Sequence, residues 1–180
     1  MLRFLALAAV AIGTNTCIAD EAQDQAGAFA KMYGSLCLQN LPDLQALRDK
    51  LAPMPKLPPD QAALFLSNAA GDAWPVPDKR GTFVLALPTG KNLCAVYARR
   101  ADTDSAASLF TTLVASPPPP FVVKRVRDES KQTAVNGMTH TVSYEWSVPN
   151  SARKMLFTLT TAPSPTASIQ ALGTAAIVGP

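Results

Sequence analysis

The chain has 180 residues, of which 48% are hydrophobic and 16% are charged, and its formal net charge is +3. This length suits one domain with a sizeable core, and so small an excess of positive charge indicates neither a nucleic acid nor an acidic surface as partner. The 16 prolines predict short elements joined by stiff connections.

Residues 1–19 have the layout of a secretory signal peptide. Arg3 gives a basic start, residues 4–12 are apolar, and small residues follow. The apolar run is far shorter than the roughly 20 residues of a membrane-spanning helix, and no later stretch approaches that length, so we expect no transmembrane segment. Cleavage after Ala19 would leave residues 20–180 as a single domain, located in the periplasm or secreted.

Cys17 raises the alternative of a lipid anchor. A lipid-accepting cysteine of the usual bacterial kind follows a leucine and two small residues, whereas Cys17 follows Thr14, Asn15 and Thr16. We therefore expect Cys17 to leave with the signal peptide and to carry no lipid.

Cys37 and Cys94 are the two cysteines of the expected mature chain. Thiols in an oxidising compartment tend to pair, so we predict a Cys37–Cys94 disulfide, which stabilises the fold by about 4 kcal/mol in the chain-entropy model. The alternative of two free buried thiols stays open, because cysteine is also a common core residue.

Three helices are predicted before the first strand, over residues 21–38, 42–51 and 60–67. The first two each carry an apolar stripe, and Asn40 is the expected N-cap of the second. The stripes consist of Ala26, Phe29, Tyr33 and Cys37 in the first helix, and of Leu44, Leu47 and Leu51 in the second. The first stripe directs Cys37 towards the core.

The pattern becomes extended after Gly71. Three strands with hairpin-like turns are predicted there, at residues 73–76, 82–87 and 93–100. Cys94, Val96 and Ala98 share one face of the third strand. If this face lies on the core, the disulfide pins the first helix onto the sheet.

The clearest helix of the chain follows, with Asp102 or Thr103 as its cap. Its apolar residues recur three and four apart, and they are Ala106, Leu109, Phe110, Leu113 and Val114. The segment SPPPP ends this helix, and we interpret it as a rigid spacer rather than as a ligand for an aromatic groove.

A second set of strands is predicted at residues 121–127, 140–148 and 154–161. In the middle strand, His140, Val142, Tyr144, Trp146 and Val148 alternate with Thr141, Ser143, Glu145 and Ser147. This alternation is typical of an antiparallel sheet with one buried and one wet face. A helix near residues 165–172 and an edge strand in TAAIVG complete the prediction, and the repeated strand–strand–helix order reflects either a duplication or chance.

Residues that carry chemistry are few. His140 is the one histidine, and we interpret it as a rim residue of the core, with a general base as the alternative. One histidine and two paired cysteines do not make a metal cluster. The sequence also has no G-x-S-x-G turn, phosphate loop or dinucleotide fingerprint. We therefore expect no catalytic residue, no metal and no cofactor.

Recognition of a protein needs only exposed aromatic and arginine anchors on a rigid surface. Trp74, in the segment AWPVPDKRG, is held rigid by Pro75 and Pro77 and is one candidate, with burial in the core as the alternative. Arg99 and Arg100 are the other candidates, with a solvated strand end as the alternative.

The segments LPPDQAALFL, AWPVPDKRGTFVLALP, KNLCAVYARRAD, HTVSYEWSVP and KMLFTLTTAPS resemble those of a family of small, exported, uncharacterised proteins and lipoproteins of Gram-negative bacteria. The resemblance covers most of the mature chain and implies a periplasmic or outer-envelope location. It transfers no activity, cofactor or site residue.

The sequence thus predicts one α+β domain, in which N-terminal helices pack on a mostly antiparallel sheet and one further helix lies between two strand sets. We expect a non-enzymatic periplasmic or envelope protein that binds another protein, such as an inhibitor or an immunity-type partner. Two alternatives stay open: a carrier of a small ligand or lipid with an apolar pocket between helices and sheet, and a hydrolase with a site around His140.

Overall fold

The computed structural model describes residues 16–179. Within them the chain forms α-helices and β-strands in the order α1 (Thr16–Met32), α2 (Leu44–Leu51), α3 (Pro59–Leu66), β1 (Gly71–Asp78), β2 (Gly81–Pro88), β3 (Leu93–Arg99), α4 (Thr103–Val114), β4 (Val122–Thr133), β5 (Gly137–Ser147), β6 (Lys154–Thr161) and β7 (Ala171–Val178). The predicted α+β class is confirmed, and α4 lies between two strand sets.

The predicted signal peptide falls mainly on residues 1–15, which lie outside the described residues. The expected cleavage point after Ala19 falls in the first turn of α1, and the side chain of Cys17 also lies outside the described part. Among the helices of residues 16–179, none has both the length and the apolar character needed to cross a membrane.

The seven strands form one antiparallel sheet in the order β1-β2-β3-β7-β6-β5-β4. The last strand, β7, lies between β3 and β6, so the prediction of an edge strand in this segment is wrong. The segment suits the middle of the sheet because Ala171, Gly173 and Ala175 leave room on the core side. A Cβ at Gly173 would lie 2.8 Å from Cδ2 of Tyr33 and 2.9 Å from Cζ of Phe29.

Helices cover the two faces of the sheet unequally. Helices α1 and α4 lie on one face, where the largest fully buried side chains of the main core include Trp74, Tyr33, Phe29, Phe83, Phe110 and Phe157. Helix α3 lies on the opposite face over β1 and β2, where a second, smaller core contains Ala62, Leu66, Ala73, Val84, Ala86 and Ala95.

The predicted stripe of the first helix is confirmed. Ala26, Phe29, Tyr33 and Cys37 have no exposed surface, and a π-helical turn at Tyr33–Leu38 continues α1 so that the last two point inwards. The Tyr33 hydroxyl donates a hydrogen bond of 2.9 Å to the carbonyl of Thr174 in β7. Burial raises the pKa of Tyr33, so this phenol stays protonated and keeps its bond.

The predicted disulfide between Cys37 and Cys94 is present, with the two Cα atoms 5.3 Å apart. Cys37 lies in the π-helical turn after α1 and Cys94 lies in β3, so the bond joins the end of the first helix to the sheet. Both residues are buried. The disulfide is consistent with an oxidising compartment outside the cytosol.

The predicted cap of the second helix is wrong. The Asn40 side chain donates to the carbonyls of Ser35 and Leu36, at 2.8 and 3.0 Å, and therefore closes the preceding turn. Asp43 caps α2 instead, because its carboxylate accepts a bond of 2.9 Å from the N–H of Ala46. The leucine stripe of α2 is buried as predicted.

The predicted helix near residues 165–172 does not form. Residues 162–170 make turns and a loop, and β7 begins at Ala171. The N–H of Gln170 donates to the carbonyl of Ala98, and its carbonyl accepts from the N–H of Ala162. These long-range bonds replace helical ones, so the second half of the chain does not repeat the strand–strand–helix unit.

Helix α4 follows its prediction closely, and strand β5 does so on its core face, whereas Ser143, predicted on the wet face, is only 3% exposed. The Asp102 carboxylate accepts a bond of 2.8 Å from the N–H of Ser105, as expected of a cap. Leu109 alone leaves the predicted stripe, because 38% of its surface is exposed. Val142, Tyr144 and Trp146 of β5 face the main core.

Candidate binding surface

Trp74 is a core residue. Its side chain has no exposed surface, which excludes it as an exposed anchor and agrees with the core alternative. The ring lies under the ammonium of Lys56, 5.5 Å from Nζ, and that ammonium also pairs with Asp72 at 2.8 Å. Trp74 therefore stabilises the β1 side of the sheet and offers no contact surface.

His140 lies on the exposed β4–β5 hairpin. Its Nε2 lies 2.7 Å from Oδ1 of Asp128, and the other carboxylate oxygen of Asp128 pairs with Arg125 at 2.8 Å. Ser130 lies opposite His140 in the strand register, but within residues 16–179 no hydroxyl hydrogen-bonds to the imidazole. The described side chains also form no group of three or more potential metal ligands.

Arg99 and Arg100 meet a second basic pair at one end of the sheet. Because Thr82 pairs with Arg99 across β2 and β3, the end of β3 lies beside the β1–β2 turn, which carries Lys79 and Arg80. These four residues line one cavity of about 340 Å³. We call Lys79, Arg80, Arg99 and Arg100 the basic rim.

Within the part of the chain that the structure describes, three of the four cations of the basic rim have no ion-pair partner. Arg80 pairs through two bonds with Asp78, at 2.9 and 3.0 Å, and this pairing lowers the pKa of Asp78 to about 2. Among the described side chains, no carboxylate lies within 4.0 Å of a nitrogen of Lys79, Arg99 or Arg100. The rim therefore keeps a local excess of positive charge.

Gln25 of α1 forms part of the wall of this cavity. The side chain is only 3% exposed, and its Oε1 has no hydrogen-bond partner among the described residues. It packs against Gly81, where a Cβ would lie 2.8 Å from the amide carbon. A buried polar atom without a partner costs about 1–3 kcal/mol, so its presence here needs an explanation.

Arg100 has a backbone conformation that is unusual for a residue with a side chain, with φ at 68°. Its N–H donates a bond of 2.6 Å to Oε1 of Gln170. The amide of Gln170 in turn donates to the carbonyls of Ser164 and Ala167, at 3.0 and 3.1 Å. Gln170 thus fixes both Arg100 and the loop before β7.

An apolar groove of about 570 Å³ adjoins the basic rim. It lies between α3, the sheet, the β4–β5 turn and the loop before β7, and its apolar lining residues are Leu64, Phe65, Val84, Tyr97, Val135 and Ile169. We call this set the apolar groove. Thr82 and Arg99 line both the groove and the cavity of the basic rim, so the two form one continuous surface.

The walls of the apolar groove are held by hydrogen bonds. The Tyr97 hydroxyl donates a bond of 2.7 Å to the carbonyl of Phe65, and the two rings pack edge to face with centroids 5.1 Å apart. On the other side, Asn136 accepts a bond of 3.0 Å from the N–H of Ser168. These contacts preform the groove, and partial burial raises the pKa of Tyr97.

Two exposed side chains stand at the groove. Leu64 is 77% exposed and Val135 is 70% exposed, and they are the two most exposed large hydrophobic residues among those described. Exposed apolar side chains beside a groove indicate an interaction site more strongly than scattered ones do. Sequence reasoning missed both, because a single leucine on a short helix and a valine in a turn carry no periodic signal.

The sequence analysis named Arg99 and Arg100 as candidates but did not connect them with Lys79 and Arg80. The hairpin between β2 and β3 was the signal that brings the pairs together, since it returns the chain to the β1–β2 turn. No family model, no curated protein and no solved structure matches this chain. The resemblance to small exported envelope proteins therefore stays a hypothesis.

Proposed function

We propose that this chain is an exported, non-enzymatic binding protein that acts in the periplasm or outside the cell by contact with another protein. The observation that carries the proposal is the preformed apolar groove, whose lining includes the highly exposed Leu64 and Val135. The disulfide supports an oxidising location. In this proposal, residues 1–19 serve as the signal peptide that directs export, and the mature chain begins at Asp20.

A protein partner fits the groove better than a carried lipid does. Carriers enclose most of the surface of their ligand, whereas two residues that line this groove, Leu64 and Val135, keep most of their surface exposed to solvent. An inserted segment of a partner would cover Leu64 and Val135 and remove their apolar surface from water. The groove volume of about 570 Å³ also suits a small ligand, which makes a small-ligand carrier the second candidate.

The test compares two variants of the disulfide-intact mature protein as baits in envelope extracts. Leu64→Asp combined with Val135→Asp places carboxylates at the groove, and Val122→Asp is the control, because Val122 is 52% exposed and pairs with Ser147 at the other end of the β4–β5 hairpin. We expect the wild type and the control to retain a stoichiometric protein that the double variant loses by at least about tenfold, or 1.4 kcal/mol.

Equal capture by the double variant and the wild type would contradict the groove as the binding surface. Native mass spectrometry of the same material would favour the small-ligand carrier if it detected a retained small molecule and no bound protein. Thermal unfolding of the three proteins establishes that each bait is folded.

A further inference from the structure

We infer that the segment of the partner that enters the apolar groove is acidic, with an apolar side chain in the groove and a neighbouring carboxylate bound by the basic rim. The inference rests on the proposed function and adds the chemistry of the partner. It is carried by the continuity of the apolar groove with the unpaired cations of the basic rim.

The groove and the basic rim are continuous through Thr82 and Arg99, which line both. An extended peptide advances about 3.3 Å per residue and turns successive side chains to opposite sides. A segment of a few residues therefore suffices to place an apolar side chain among Phe65 and Tyr97 and a carboxylate at Arg99. A purely apolar segment would bring no anionic group to the cations of the basic rim.

The charge balance of the rim favours an anionic occupant. The cavity contains three cations without an ion-pair partner among the described residues, which are Lys79, Arg99 and Arg100. Glu21 is its one carboxylate without such a partner, because Asp78 pairs with Arg80. Positive charge is therefore in excess in the cavity. Like charges in one cavity repel each other, and an added carboxylate relieves that repulsion. A guanidinium also presents a planar fork that matches a carboxylate.

Gln25 forms a nearly fully buried part of the cavity wall. Its Oε1, unpartnered among the described residues, is closed off from the cavity, so the bound carboxylate is held by the cations of the basic rim. Arg100 is held in a left-handed conformation by the bond of 2.6 Å to Gln170, and unusual backbone conformations gather at functional sites.

A peptide explains the surface better than an anionic membrane does. A membrane surface is met by a broad cluster of basic residues, whereas Glu21 and Asp78 lie among the cations of this cavity. The groove is concave and lies between α3 and the β4–β5 turn, so a flat bilayer does not reach its floor. A protruding acidic segment does.

The experiment selects a random peptide library on the disulfide-intact mature protein. Three immobilised proteins are compared: the wild type, Arg99→Gln with Arg100→Gln, and Arg125→Gln with Arg127→Gln as the control. The control removes two arginines of the exposed strand β4, which pair with Asp128 and Glu129. Glutamine keeps the backbone N–H of residue 100 and therefore the bond to Gln170.

We expect peptides enriched in Asp or Glu beside apolar residues on the wild type and the control, and loss of the acidic enrichment on the Arg99/Arg100 variant. One selected peptide, measured by fluorescence anisotropy, should bind that variant at least about tenfold more weakly. Raising the salt concentration to about 0.5 M should weaken its binding to the wild type and leave the variant nearly unchanged.

Several results would overturn the inference: peptides without acidic enrichment, acidic enrichment that survives in the Arg99/Arg100 variant, or no selected peptide at all. Binding to phosphatidylglycerol vesicles that depends on Arg99 and Arg100, without acidic peptides, would overturn it in favour of a lipid surface. Apolar peptides that bind through Leu64 and Val135 alone would refute the inference and leave the proposed function standing.

Discussion

Gln25 and Gln170 are buried glutamines beside the same basic rim, but their hydrogen bonding differs. Gln170 is 7% exposed, and its amide accepts one bond and donates two, to groups within the fold. Gln25 leaves its oxygen without a partner in residues 16–179. A satisfied buried amide rigidifies its surroundings and an unsatisfied one costs free energy. Gln170 therefore stabilises the loop before β7, whereas the oxygen of Gln25 contributes no hydrogen bond to the described fold.

Gly173 decides how closely the first helix approaches the sheet. Gly173→Ala would place a Cβ 2.8 Å from Tyr33 and 2.9 Å from Phe29, and both rings are fully buried. We expect this change to lower the free energy of unfolding by about 1–3 kcal/mol, as overpacking does in close-packed cores. Urea unfolding followed by tryptophan fluorescence measures the effect.

The matched control is Gly27→Ala, because Gly27 lies on the exposed side of α1 and has no neighbouring atom within 4 Å of a Cβ. Alanine in a helix interior is more favourable than glycine by about 0.5–1 kcal/mol. The two alanines should therefore change stability in opposite directions. Equal effects would contradict the close packing of α1 on β7.

At the level of the elements, regular burial made a prediction from sequence possible. The stripe of α1 and the core face of β5 were predicted because the apolar residues of each element recur with the period of that element. Strand β4 was predicted to end at Arg127 but continues to Thr133, since none of its residues is buried and its sequence carries no apolar pattern. Strand β7 was placed wrongly because its small residues are explained only by the helix that packs on them.

The Cys37–Cys94 disulfide is the covalent link between the helical layer and the sheet, with a sequence separation of 57 residues. Replacing both cysteines with alanine removes the constraint on the unfolded chain, and we expect the free energy of unfolding to fall by about 4 kcal/mol in the chain-entropy model. Urea unfolding of the mature protein measures this loss. Reduction of the wild type should cause a similar loss, and two titratable thiols in the native wild type would contradict the bond.

At the scale of the whole molecule, the two edges of the sheet are protected in different ways. Strand β1 carries Pro75 and Pro77, which lack N–H donors, and its Ala73 carbonyl already accepts a bond of 2.8 Å from the N–H of Leu57. Strand β4 has no such cover from residues 16–179 and instead carries exposed charges and a register shift between Arg125 and Arg127. Both devices oppose pairing with another chain.

The candidate site also belongs to this scale, because it joins segments that are distant in sequence. Arg99 and Arg100 could be named from the sequence, since two adjacent arginines at a strand end are visible there. Gln25 and Val135 could not, because their place beside those arginines depends on how α1 and the β4–β5 turn meet the sheet. Fold class was therefore predictable, whereas the site required the assembled layers.

If charged side chains protect the β4 edge, the molecule should self-associate when charges of this strand are removed. Lys124, Arg127 and Glu129 lie on one exposed face of this twelve-residue strand, and we expect their replacement by threonine to cause self-association through edge-to-edge pairing. Threonine favours strands, so the variant should stay folded. Sedimentation velocity over a range of concentrations measures the association.

The control for this change removes the same net charge elsewhere, through Lys50→Gln, Lys91→Gln and Asp104→Asn, all at exposed positions. If loss of solubility followed from net charge alone, both triple variants would associate to the same extent. If the charges of β4 protect its edge, only the strand variant should associate, because only there are unpaired backbone N–H and C=O groups freed for another chain. A monomeric strand variant at all concentrations would contradict a protective role for these three charges.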